Sequence, residues 1–477
     1  MTRAASFAVV VIAIAACGEI PPASTYEGRC LVLRPPPSDG PGDRPGTLLD
    51  EQLWLRSWID DTYLWYREVP RTNPRQFATA VDYFNVLKTS AITASGKPKD
   101  QFHFSYPTLD WDQMSNSGLD VTYGVRWVLR SSPLTSPPPR NVNVLAAYVQ
   151  PGSPAAIAGI KRGAQVLMVD GVDVMNGDDV DTLYDGLFPT VPDRTRTLVI
   201  KDLGATESRT VALTSSLLAI APVQRVALGP PYEQVGYLLF HEHTRPAFGG
   251  LRDEIAKMHD EGVTDLVLDL RYNNGGYLYV AADLAYMIAG PTATDGKPFM
   301  QLHFNDKHQT IDPVGAEIAP LAFGAPGVPL PHLDLPRVFI LTGSTTCSAS
   351  EAVMNSLAGV DVEVIQIGTT TCGKPYGFFP ADNCSTTYFA IQFSATNAKD
   401  FGDYSDGFTP GGHHAGCVVA DDFTHELGDP AEARLAAALG YMTSATCPAA
   451  AQSANPPSEN DGVAPTPLWR QNAILLR

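Results

Sequence analysis

The sequence predicts a multidomain α/β protein. The chain runs to 477 residues, well past the roughly 250 to 300 at which a single core stops growing. From residue 235 onward, apolar strand-like runs alternate with segments of helical spacing, whereas residues 113–218 carry a turn-rich β pattern. With 44% hydrophobic and 18% charged residues the composition is that of a globular protein. The formal net charge of -18 sets nucleic acid aside as a partner, since like charges repel, and reads as a solvated acidic surface.

At the N-terminus, Arg3 precedes "AASFAVVVIAIAA", which ends at Cys17. This run is too short to span a bilayer but has the length of a signal-peptide core. Ile14-Ala15-Ala16-Cys17 resembles a bacterial lipobox, which implies lipidation of Cys17 and a place on the periplasmic side of the bacterial envelope. Gly18 resembles the outer-membrane sorting pattern; an ordinary signal peptide with an incidental cysteine is the alternative. No other stretch is long and apolar enough for a transmembrane helix, so the membrane is expected only through that anchor. Residues 18–46 contain "RPPPSDGPGDRPG" and read as a Pro/Gly-rich tether. Residues 47–112 form an N-terminal helical region, in which Leu53, Trp54, Trp58, Tyr63 and Leu64 recur at three- and four-residue intervals and amphipathic helices run to about residue 90.

Within 113–218, "NVNVLAAYVQPGSPAAIAGIKRGAQVLMVDGVDV" reads as a strand, a Gly/Pro turn, a short helix of small residues, a second strand and an Asp-Gly turn. The run from Gly152 to Gln165 resembles that of a bacterial PDZ domain. The resemblance implies recognition of an extended peptide as an added strand, with Tyr123, Gly124 and Val125 as the loop and edge that receive it. A domain kept only as a structural clamp is the other reading.

Residues 219–446 carry the remaining chemistry. "VGYLLF", "TDLVLDLR", "RVFILT" and "VEVIQIG" are apolar strands separated by helical segments, which gives a mixed or parallel sheet covered by helices. Two strands end in polar turns. "RYNNGG" brings Gly275 and Gly276, either an ordinary turn or a pair of backbone amides for an oxyanion. "TGSTTCSASE" brings Ser348, either a helix cap completed by Glu351 or a nucleophile at a helix start. The histidines (His241, His243, His413, His414) offer no clear base. Lys374 follows an apolar strand and is either a solvated surface group or, if burial keeps it neutral, a base. "GGHHAGC" lacks a second spaced ligand pair, so no metal site is expected. In an oxidising compartment Cys30, Cys347, Cys372, Cys384, Cys417 and Cys447 suit up to three disulfides, whose pairing spacing does not give.

Residues 235–380 resemble the C-terminal processing peptidases, or tail-specific proteases. The likeness rests on Asp269-Leu270-Arg271-Tyr272-Asn273-Asn274-Gly275-Gly276, on Ser348-Ala349-Ser350-Glu351 and on Gly373-Lys374. It implies a crotonase-like (ClpP-like) catalytic core, Ser348 as nucleophile, Lys374 as general base, and an oxyanion hole from Gly275, Gly276 and Ala349. It also implies protein or peptide substrates and no cofactor. On this reading Ser350 and Glu351 hold the helix start, Thr345 and Thr346 line the turn, and Cys347 packs or pairs, Cys372 being a candidate partner. Phe378 stands where many members have a glutamine that orients the lysine, so another group orients Lys374 or the dyad is weaker. The alternatives are a catalytically weak or inactive peptide-binding lipoprotein and an apolar-ligand carrier. Residues 447–477 have the composition of a tail.

Overall fold

The computed structural model describes residues 20–34, 42–132, 134–325 and 327–448. The expected leader with Cys17, and the tail beyond residue 448, lie outside the described residues.

The apolar runs of the C-terminal half form one six-stranded sheet in the order Val223–Val226, Val235–Phe240, Asp265–Asp269, Arg337–Thr342, Glu363–Gly368, Ala415–Val418. The first pair is antiparallel and the others parallel. Pairing aligns Leu238 with Leu268 and Leu268 with Ile340, and the adjacent row runs Tyr237, Val267, Phe339, Ile365. Because alternate side chains leave opposite faces, each face has its own core. The first row packs with the helices Ala247–Asp260, Leu278–Thr294 and Ala349–Gly359. The second row packs on Leu435 and Ala438 of the helix Ala433–Ser444. Each fully buried side chain of this size contributes roughly 1.5 to 3 kcal/mol. All three parallel strands that carry the polar turns, Asp265–Asp269, Arg337–Thr342 and Glu363–Gly368, end on one edge of the sheet. Ligand sites of open α/β sheets collect at that edge.

The second unit is a five-strand antiparallel path in the order Arg209–Thr214, Thr195–Lys201, Gln165–Val169, Asn143–Val149, Val125–Arg130. Trp127, Val144, Val166, Leu183 and Leu198 close its separate core. Val125–Arg130 lies at the open edge, as strand addition requires.

The N-terminal region has no core of its own. Thr47 and Asp50 form a capping box at the start of the helix Leu48–Thr62, Trp54 and Trp58 stack at 5.5 Å one turn apart, and both join the core on the Leu238–Leu268–Ile340 face of the sheet. Beyond its helices, the strand Phe104–Pro107 pairs with Thr386–Phe389.

The described part of the expected tether is not a tether. Arg29–Cys30 pairs with Arg44–Pro45, Ala23 and Tyr26 pack on the main core, and Cys30 is buried and bonded to Cys384. Too polar for a core of its own, this stretch is held by a covalent bond and by packing on its neighbours. Further disulfides join Cys347 to Cys372 and Cys417 to Cys447.

Candidate active site

The turn after Arg337–Thr342 is braced against the turn after Asp265–Asp269. Thr346 Oγ1 donates to the Leu270 carbonyl and accepts from the Gly343 amide, while Thr345 Oγ1 donates to the Arg271 carbonyl. The Cys347 amide and Ser350 Oγ both donate to the Asn273 carbonyl. These bonds carry the chain into Ser348 with φ 63° and ψ -118°. An L-residue enters such a region only where its surroundings over-determine it, at a cost of about 1 to 3 kcal/mol. Ser348 is fully buried, its amide donates to Glu351 Oε2 at 2.9 Å, and its hydroxyl has no hydrogen-bond partner among the described residues.

Gly275 lies against this serine. A Cβ at Gly275 would come within 2.8 Å of Ser348 Cβ and Oγ and 2.9 Å of the Ala349 nitrogen, and one at Gly276 would meet the His243 carbonyl oxygen at 2.5 Å. Both glycines have φ above 100°, so contact and conformation alike exclude a side chain. Both were expected as oxyanion donors, but their surroundings differ. The Gly275 amide donates to Asn273 Oδ1 at 2.9 Å and is turned into its own loop. Among the described residues, no hydrogen bond occupies the Gly276 or Ala349 amide. Asn273, which carried no role in the sequence beyond its place in the motif, thus holds this loop, since its side chain also donates to the Phe240 carbonyl and meets His243 Nδ1. His243 is buried, and burial lowers it to about 3; it is a neutral structural group.

Lys374 is 1% exposed. Its Nζ lies 4.4 Å from the centre of the Phe378 ring and 4.8 Å from that of Phe102. Burial lowers its pKa to about 7, against the opposing charges of Asp100 and Glu351. The position where a glutamine was missed therefore carries one wall of an aromatic cage. The other wall comes from the N-terminal region, and no local periodicity pointed to it. Asp100 sits beneath it, accepting from Tyr63 Oη at 2.6 Å and from the Phe102 amide at 2.9 Å. Burial alone would raise the Asp100 carboxyl, but these bonds and His103 hold it below its ordinary value.

Glu351 does more than cap a helix. Oε1 accepts from Thr371 Oγ1 at 2.5 Å and from the Gly373 amide at 2.8 Å; Oε2 accepts from the Ser348 and Lys374 amides. The buried carboxylate joins the serine turn to the lysine turn, and the Cys347–Cys372 disulfide joins them a second time. With both sulfurs bonded to each other, this cluster offers no thiolate to a metal.

The PDZ-like edge faces the same region. A groove of about 150 Å³ is lined by Gly124, Val125, Trp127, Phe188, His241 and Asn274, the last being next to Gly275. The Tyr123 side chain is not in it, being buried in the core of its own module, and the Gly124 amide donates to Thr122 Oγ1 at 3.1 Å. Of the three expected peptide-binding residues, Val125 and the Gly124 backbone line the groove, and an amide already bonded is poorly placed to receive a carboxylate.

Residues 234–382 match the model of peptidase family S41, residues 50–106 that of the peptidase S41 N-terminal domain, and residues 145–189 that of the PDZ domain. Residues 234–382 are thereby identified as a peptidase family S41 domain. Similar proteins include the carboxyl-terminal-processing proteases of Picosynechococcus sp. (27% identical over 226 residues, 47% of this chain) and Synechocystis sp. (24% identical over 267 residues, 51% of this chain). The matches span 49% and 58% of those relatives' own lengths. A Bacteroides fragilis crystal structure named as an S41 protease superposes with a TM-score of 0.60, at 24% identity, over 85% of this chain and 100% of that one. The S41 match runs from the first parallel strand through Ser348 and Lys374, and the S41 N-terminal domain match includes Asp100 and Phe102, the residues that cover the lysine.

Proposed function

We propose that this chain is a serine endopeptidase of the bacterial cell envelope, built on a crotonase-like core and hydrolysing peptide bonds in unfolded or C-terminally exposed proteins. The observation that carries the reading is a buried lysine of lowered pKa hung from the same carboxylate as a strained, buried serine. Neutral Lys374 takes the proton of Ser348 Oγ as that oxygen attacks the peptide carbonyl. The Gly276 and Ala349 amides receive the negative charge that develops on the carbonyl oxygen, and one such donor is typically worth about 3 to 4 kcal/mol. The Lys374 ammonium then protonates the departing amine, and water, deprotonated by the same lysine, releases the acyl group from Ser348. The Phe102 and Phe378 rings do in this chain what an orienting amide does elsewhere, confining Nζ and keeping it dry. The PDZ module recruits or gates substrate through its open edge and the groove that leads to Asn274. Lipidation at Cys17 holds the enzyme on the periplasmic side of the envelope, at the outer membrane.

The test is cleavage of β-casein by the chain lacking residues 1–17, beside Ser348→Ala and Lys374→Ala. Cutting by the parent and not by either variant supports the dyad. A parent that binds peptides with apolar C-termini but never cuts would favour the inactive peptide-binding lipoprotein instead.

A further inference from the structure

Two of the three disulfides serve the perimeter. Cys30–Cys384 fastens the N-terminal stretch, and Cys417–Cys447 ties an edge strand of the sheet to the end of the helix Ala433–Ser444. The third lies inside the site. Cys347 immediately precedes Ser348 and Cys372 stands two residues before Lys374, their Cα atoms 5.2 Å apart. We propose that the Cys347–Cys372 disulfide is a positioning group for Ser348 and Lys374, and that its reduction by a dithiol disables the site while the fold stands. The inference rests on the peptidase reading above.

The argument is one of constraint. Ser348 keeps an unfavourable backbone conformation only while its neighbours hold it, and those neighbours are the Cys347 amide on Asn273, the Ser348 amide on Glu351, and the disulfide. On the other side the turn 371–374 is held by Thr371 and the Gly373 and Lys374 amides on Glu351, by the Cys372 amide on the Thr346 carbonyl, and by the same disulfide. Remove the bond and the ties just named between the two turns are hydrogen bonds, which water can replace. Water that enters also reaches Nζ of Lys374, faced by Asp100 from the N-terminal segment, Glu351 from the helix Ala349–Gly359, and the Phe102 and Phe378 rings. Tyr404 lies close enough to feel the charge of Glu351, and Tyr376 that of Asp100.

Cys372 is partly exposed, so a reductant can approach. A thiolate of the dithiol attacks Cys372 Sγ and expels the Cys347 thiolate. The dithiol's second thiol then attacks the mixed disulfide, releasing Cys372 as a thiol and the reagent as a cyclic disulfide. Two electrons and two protons pass from reagent to protein.

The test uses the full chain in detergent and two readouts between pH 6 and 10, casein hydrolysis and the rate at which a fluorophosphonate labels Ser348. In Cys347→Ala/Cys372→Ala we expect both rates at pH 7 to fall by about tenfold or more, the pH midpoint to move upward as water reaches the lysine, and part of the rate to return at alkaline pH. Cys417→Ala/Cys447→Ala should melt at lower temperature with its midpoint unmoved. If the first pair misfolds, dithiol-treated wild type, checked by circular dichroism and then reoxidised, supplies the same comparison. A Cys347/Cys372 variant with the wild-type rate and midpoint overturns the inference and leaves the peptidase standing. Wild type that neither cuts casein nor takes the label at any pH overturns the peptidase reading, and this inference with it.

Discussion

The backbone amides of Ser348 and Lys374 donate to one atom, Oε2 of Glu351, each at 2.9 Å. The proposed nucleophile and base, from separate turns, are thereby referred to a common point, and the tolerance for displacing such groups is only about half an ångström.

Glu351→Gln tests that reference point. The variant amide keeps one oxygen and sets an NH2 group against amide donors, so at least one donor loses its acceptor. Each lost bond to a buried charged acceptor costs about 1.5 to 3 kcal/mol. We expect a lower melting temperature and a kcat for casein-derived peptides reduced by about tenfold or more, with KM nearly unchanged. A variant with wild-type kcat would show that the two turns hold their positions without this carboxylate.

Lys374 predicts an unusual stability effect. Burial lowers its pKa from the ordinary lysine value of 10.5 to about 7, so between those values the unfolded chain binds more protons than the folded one. Stability therefore rises with pH across that window, and below it the whole penalty is present. Lys374→Met should abolish hydrolysis and yet melt at a higher temperature than wild type at pH 7, although the unbalanced charges of Asp100 and Glu351 offset part of the gain. The gap should narrow toward pH 10. Melts at the two pH values decide it, and a variant less stable than wild type at pH 7 would contradict the assignment of a desolvated lysine.

The cage around Nζ gives a pair of opposite shifts. Phe102→Ala opens a path for water, which stabilises the ammonium, so the acid limb of the pH–rate profile should move to higher pH. Asp100→Asn removes a negative charge that favours the ammonium, and the same limb should move to lower pH, each by roughly one unit or less. Parallel movement of both variants would mean that the N-terminal segment acts on the site only through general destabilisation.

That segment shows where the sequence stops being readable. The strands and helices around Ser348 and Lys374 were legible because each carries its signal locally, as an apolar run or a three- and four-residue recurrence. The polar turn at Ser348 was legible from Gly343 and the hydroxyl-rich strand end, whereas its positive φ was not. Phe102 lies more than 270 residues before Lys374, and nothing in "DQFHFSY" distinguishes a ring that covers a lysine from one that fills a core. Which of Gly275 and Gly276 presents its amide was not legible for a related reason: two glycines permit several loop conformations, and Asn273 selects the one that turns the Gly275 amide inward. The stretch before Thr47 looked like a tether because its composition builds no core, but a disulfide to Cys384 across 354 residues supplies what composition lacks.

The seam between the PDZ module and the core is the place where one substitution should reach both. Arg162, from the PDZ module, is almost wholly buried against core residues. It donates to Asp421 Oδ1 at 2.7 Å, Tyr272 Oη at 2.8 Å, and the carbonyls of Asp422 and His425. Asp421 also accepts from Arg271, which in turn binds Asp269 and Glu432. With Arg434 buried nearby, three arginines face three carboxylates, and deleting Arg162 leaves the cluster with an unbalanced buried negative charge. Breaking a buried pair from one side costs about 3 to 5 kcal/mol. We expect Arg162→Ala to lower the melting temperature and to expose the seam to limited proteolysis on either side of residues 119–219. Because Tyr272 adjoins Asn273, which orients the Gly275 loop, peptide hydrolysis should fall as well. Arg162→Lys keeps the charge but not the fork of donors, so it should recover much of the stability and less of the rate. Equal recovery of both would mean that Arg162 is a fastening only, with no mechanical link from the PDZ module to the catalytic loop.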